Sequence, residues 1–137
     1  MYKQIIIVRK DLDMSPGKLA AQVSHGSMAF LSCFIRNNTD LDGHVDGYID
    51  KNIFHNWINE SFTKCVLKAK NRNQLLKAKT MAEDLGMVED KDFWLIKDNC
   101  RTELEPEEDG RTLTCIGFRP MNSEIIDKIG KKYQLYI

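Results

Sequence analysis

Long apolar runs, metal-ligand spacings and an excess of charge of either sign are all missing from these 137 residues. Near the start, the longest apolar run is Ile5-Ile6-Ile7-Val8. Four residues are too few for the core of a signal peptide or for a membrane span, so neither export nor membrane insertion is expected. The four cysteines (Cys33, Cys65, Cys100 and Cys115) contain no CxxC pair, and His25, His44 and His55 do not fall at i, i+3 or i, i+4. A structural zinc site and a redox dithiol are therefore unsupported, and free thiols are expected. Lys+Arg and Asp+Glu both number 20, for a formal charge of zero. That balance argues against a strong nucleic-acid binder over the whole surface and leaves room for one basic face. Neither GxxxxGK[ST] nor GxSxG occurs, so a P-loop and an α/β-hydrolase elbow have no support.

What is present is ordinary for one soluble domain spanning residues 1–137: 42% hydrophobic and 29% charged residues, without repeats, low-complexity stretches or a linker. Residues 2–8 read as a strand buried on both faces. Ser15-Pro16 reads as a helix start, with Ser as N-cap and Pro at the first helical position. Leu19, Val23, Phe30 and Phe34 carry that helix to about Ile35. A loop and a short helix near 46–60 follow. A strand over 63–69, a helix from Asn71 to Leu85 and a strand over 93–96 come next, then a strand over 112–118, a helix capped by Asn122 and a short strand over 133–137. Strands alternating with helices predict an α/β domain: a three-layer α/β/α sandwich with a small, mostly parallel sheet of about four strands. Sites in such sheets gather beyond the carboxyl ends of the strands. Two polar clusters lie there, Arg9 to Lys18 and Asp98 to Thr102.

Lys18 is the most informative residue. As the third residue of a helix it places a cation at the positive end of the helix dipole, which costs about 0.3–1 kcal/mol. One reading is a solvated lysine that tolerates the penalty. The other is an anion site, in which Gly17, the free N–H groups of the first turn and the ammonium act together. Asp98-Asn99-Cys100-Arg101-Thr102 offers a carboxylate that can orient a lysine or a water, and a hydroxyl that can bond a carbonyl. It also reads as an Asx turn with an arginine ion pair. Gln22 shares the helix face of Lys18, and His25 lies roughly in line.

Taken together these strings resemble the type II peptidyl-tRNA hydrolases, nearly end to end. Ile5 to Arg9 followed by Asp11-Leu12-Asp13-Met14 resembles the opening V-V-R-x-D-L-x-M, and Pro16 to His25 is similar to G-K-G-K-I-A-A-Q-x-S-H. Lys64 to Lys68 matches K-x-V-L-K, Asp98 to Thr102 resembles D-A-G-R-T, and Arg111 to Gly117 resembles R-T-V-L-x-I-G. The resemblance implies hydrolysis of the ester that joins a peptide to tRNA, in the cytoplasm, with no metal, cofactor or membrane. It implies the tRNA acceptor end as partner and a possible homodimer. By position it implies catalytic roles for Lys18, Asp98, Thr102 and Thr112, and substrate contacts for Gln22, His25, Arg101 and Arg9. Three departures stand out. Asn99-Cys100 replaces Ala-Gly, Phe118 replaces a proline, and the loop before Arg111 carries Glu103, Glu105, Glu107, Glu108 and Asp109. These departures keep a second reading open, a divergent protein- or nucleotide-binding module with little catalysis. The acidic loop is expected to face the tRNA backbone or to point into solvent.

Overall fold

The computed structural model describes the backbone of residues 1–137 and every side chain except that of Glu108. In chain order the elements are β1 (Tyr2–Arg9), α1 (Pro16–Asn37), α2 (Lys51–Ile53), β2 (Lys64–Ala69), α3 (Arg72–Asp84), β3 (Phe93–Asp98), β4 (Thr112–Phe118), β5 (Met121–Asn122), α4 (Ser123–Gly130) and β6 (Gln134–Leu135). α2 runs on as a π-helical segment, Phe54–Ser61, and a 3-10 turn at Glu108–Gly110 precedes β4. Ser15 caps α1 by accepting the Lys18 N–H, and Asn71 and Asn122 cap α3 and α4 in the same way.

β1 is the central strand and is buried on both faces, as its unbroken apolar run predicts. Ile5 and Ile7 pack with Leu75, Ala78, Ile126 and Ile129 of α3 and α4. Ile6 and Val8 turn the other way, toward Leu19 and Val23 of α1. The layers are therefore α1, the sheet, and α3 with α4. No helix among the described residues is long and apolar enough to cross a membrane.

The sheet itself differs from the expectation of about four mostly parallel strands. It has six strands in the order β3-β4-β1-β2-β6, with β5 added to β1, and only β1–β2 is parallel. No helix separates β3 from β4, so the chain folds back through the 99–111 loop and inserts β4 antiparallel between β3 and β1. β5 is two residues long, too short to show an alternating pattern, whereas β6 falls within the short strand expected over 133–137.

Two backbone details position the site. Gly26 of α1 lies directly on Gly117 of β4, and a Cβ at residue 117 would stand 2.1 Å from the Gly26 carbonyl oxygen. This contact lays α1 down on β4. In the β3–β4 ladder, Ile96 pairs with Cys115 but Lys97 pairs with Leu113, so Thr114 is the extra residue of a β-bulge. A bulge re-aims a side chain, and here the Thr114 hydroxyl meets Gln22 on α1.

Candidate active site

Lys18, Asp98 and Thr102 meet where the first turn of α1 passes the end of β3. The Lys18 Nζ donates to Asp98 Oδ1 at 2.9 Å and to the Thr102 hydroxyl at 2.9 Å. The side chains of the ion pair are 13% and 11% exposed, so the pair is shielded yet reachable. Gln22 Nε2 adds a bond to Asp98 Oδ1 at 3.2 Å, and the Cys100 N–H donates to Asp98 Oδ2 at 2.9 Å. Burial by itself would raise the Asp98 pKa. The bonds from Lys18, the Cys100 N–H and Gln22, with the lysine charge, outweigh it and hold the carboxyl below its ordinary value.

The orientation of Gln22 follows from its neighbours. An ionised carboxylate only accepts, so the amide nitrogen must face Asp98 and its oxygen must face Thr114. Thr114 is fully buried and donates to Gln22 Oε1 at 2.7 Å. Gln22 is 2% exposed, which makes it a support for Asp98 rather than a surface contact for substrate.

The start of α1 is organised differently from the anion site weighed above. Pro16 has no N–H, the Lys18 N–H goes to Ser15 Oγ and the Leu19 N–H goes to the Ser15 carbonyl. Negative charge is supplied from within the chain. Glu103 accepts from the Ser15 hydroxyl at 2.6 Å and from the Ser15 N–H at 2.9 Å. These bonds, together with the nearby Lys18 charge, hold the Glu103 carboxyl below its ordinary range. Glu103 thus answers the helix dipole that makes Lys18 unusual at this position.

The other candidates divide. Thr112 pairs with Asp98 across the β3–β4 ladder, but it is 1% exposed. Its hydroxyl donates to the Glu105 carbonyl, and the Cys100 thiol donates to it at 3.2 Å. It sits behind the Asp98 loop rather than in the opening. His25 is exposed on the next turns of α1, and Arg101 is exposed beside Thr102. Arg9 is not open to a substrate. Its guanidinium donates to Asp11, to Glu107 Oε2 at 2.8 Å and to the Leu113 carbonyl at 3.0 Å. A buried arginine engaged on all sides is a structural group. Glu107 also lies 3.7 Å from Arg72, so the acidic loop is partly turned inward. Two members, Glu103 and Glu107, tie the loop to α1 and β1.

Sequence reasoning left out Thr114 and gave Glu103 no partner. A threonine inside an otherwise apolar buried strand was the available signal, since a buried hydroxyl needs a partner. The bulge that aims it has no sequence mark.

The family profile described as Peptidyl-tRNA hydrolase PTH2 matches residues 2–136. The chain belongs to this family. Among similar proteins, the Peptidyl-tRNA hydrolase of Thermoplasma acidophilum is 37% identical over 133 residues, covering 97% of each chain. That of Methanopyrus kandleri is 38% identical over 129 residues, covering 94% of this chain and 93% of its own. That of Thermoplasma volcanium is 35% identical over 135 residues, covering 98% of each.

Proposed function

We propose that this protein hydrolyses the ester between a peptide and the terminal ribose of tRNA, releasing free tRNA and a peptide acid in the cytoplasm. The observation that carries the reading is the Lys18 ammonium held between Asp98 and Thr102, at 2.9 Å from each, in a PTH2 chain. An ammonium has three N–H donors. Asp98 and Thr102 take two and leave one for the carbonyl oxygen of the ester. As water attacks the carbonyl carbon, that oxygen gains charge, which the third N–H stabilises. Asp98 and Thr102 hold the water, and the proton it loses passes to the departing ribose oxygen. Because Asp98 is held below its ordinary pKa it is a weak base. The rate therefore rests on positioning and on oxyanion stabilisation, which suffice for an activated ester. Thr112, Thr114 and Gln22 act behind Asp98 as positioning residues.

The test is release of peptide from an N-blocked peptidyl-tRNA by the purified chain. Release that a chelator leaves unchanged supports the reading. Failure to release peptide, with a folded protein, overturns it.

A further inference from the structure

A trench of about 770 Å³ runs from the Asp98 loop along the exposed flank of α1 and over the edge strand β3. At the site end it is lined by Asn99, Lys97 and Arg111, and at the far end by Arg36. His25 stands on one wall and Trp94 lines it midway. From His25 to Arg36 the helix rises roughly 16 Å, at about 1.5 Å per residue. Its length and lining suit an extended strand.

The charges are sorted about the Lys18–Asp98 pair. Lys97, Arg111 and Arg36 lie on the trench side and are exposed, with Asp90 as the one acid of its lining. Ahead of the α1 N-terminus the exposed acids Asp11, Asp13 and Glu103 outnumber one exposed cation, Lys10. A polyanion is drawn to the first side and repelled from the second. The Trp94 ring is half-buried in the trench, and its indole N–H has no hydrogen-bond partner among the described residues. An aromatic face between cations is the arrangement that holds single-stranded nucleic acid, through base stacking and phosphate contacts.

We infer that the trench between α1 and β3 is the subsite for the single-stranded 3′ end of the tRNA, with a base on Trp94 and phosphates on Arg111 and Arg36. The peptide then leaves the ester on the other side of Lys18, toward the β1–α1 loop. The inference rests on the hydrolase reading for the identity of the RNA, but it is tested by binding alone.

The probe is a short labelled single-stranded oligoribonucleotide with the CCA end common to tRNAs. Its affinity for the full chain is measured by fluorescence anisotropy across a salt series. Arg36→Gln/Arg111→Gln should weaken binding about tenfold or more at low salt. It should also flatten the slope of log affinity against log salt by about 1.4, at ~0.7 per phosphate contact. Trp94→Leu should weaken binding about fivefold or more, Trp94→Phe should restore most of it, and unchanged melting would show that the fold persists. Lys77→Gln/Lys132→Gln, which removes two cations around a separate cavity at α3, should leave affinity and slope unchanged. Wild-type affinity and slope in both the arginine pair variant and Trp94→Leu would overturn the assignment. So would variants that keep the oligonucleotide but lose an N-blocked peptide ester, because the trench would then belong to the peptide. Absence of peptidyl-tRNA hydrolysis by the wild type would count against the proposed activity and not against the RNA subsite.

Discussion

Gln22 Nε2 donates to Asp98 Oδ1, the same carboxylate oxygen that accepts the Lys18 ammonium. Behind it, Thr114 donates to Gln22 Oε1 and so holds the amide in the orientation that the carboxylate sets. The relay runs from a β-bulge in the sheet, through α1, to the ion pair.

Thr114→Val keeps the shape and removes the fixing bond. Gln22 Oε1 is left buried without its donor, and stability should fall by about 1–3 kcal/mol. The rate should fall roughly tenfold, the equivalent of about 1.4 kcal/mol. The pH profile separates this role from simple destabilisation. Asp98 is held below its ordinary value in the folded protein, so its contribution to stability is present above the unfolded pKa of about 3.9. That contribution is lost as pH falls through the lower folded value. In the wild type, the acid limb of kcat/KM should therefore lie below the ordinary aspartate range, and in Thr114→Val it should move upward. An unmoved limb would show that the relay does not reach Asp98.

Glu107 and Glu105 should part company. Glu107→Gln removes a charge that compensates the buried Arg9 guanidinium, where the bonds to Asp11 and Glu107 hold the proton firmly against burial. It should lower stability by about 1–3 kcal/mol. Glu105→Gln alters an exposed side chain and should change stability by no more than about 0.5 kcal/mol. Chemical denaturation of both variants checks this, and equal effects would contradict the inward role of Glu107.

Cys100 holds a left-handed backbone, with φ of 60°, between Asp98 and Thr102. Only glycine adopts that conformation without penalty. Cys100→Gly keeps the N–H that bonds Asp98 and should stabilise the fold by about 0.5–1 kcal/mol, after allowing for the greater freedom of glycine in the unfolded chain. Thermal melting decides the sign. A loss of stability would mean that the thiol contacts with Thr112 and the Asp98 carbonyl outweigh the backbone strain.

Gly117→Ala tests the seat of α1. The added Cβ meets the Gly26 carbonyl and Cα rather than a movable side chain, so α1 must shift. Overpacking of this kind costs about 1–3 kcal/mol, occasionally more. The shift would also carry Gln22 off Thr114, so activity should fall along with stability. Wild-type melting and activity in this variant would show that the close approach is not required.

The elements were legible where side-chain patterns extend over several turns or a whole strand. Ser15-Pro16-Gly17-Lys18 marked the α1 start, and the runs in β1 and β4 marked buried strands. Strand direction was not legible. Helix-strand alternation suggested parallel crossovers, whereas the β3–β4 connection needs no helix and returns antiparallel. The short helix near 46–60 and the last strand were expected, but the π-helical character of Phe54–Ser61 and the two-residue β5 leave no period to read. Lys18 and the Asp98–Thr102 cluster stood out as polar groups near strand ends, but only the family resemblance joined Lys18, Asp98 and Thr102 into one set, whose side chains lie within hydrogen-bond distance in the fold. Arg9 and Glu107 were misread because a sequence shows charges without their partners, and these two residues pair across 98 positions of chain.

The central claim is that Lys18 and Asp98 work as one hydrolytic unit. Single-turnover release of peptide from an N-blocked peptidyl-tRNA, measured for the wild type, Lys18→Ala, Asp98→Asn and the double variant, tests it most directly. The wild type should release peptide. Lys18→Ala should be slower by about 10²–10³-fold, the loss typical of one oxyanion donor. The double variant should be no slower than the slower single, because each change disables the same pair. Folded Lys18→Ala protein working within a few-fold of the wild-type rate, or two losses that simply multiply in the double variant, would contradict the account.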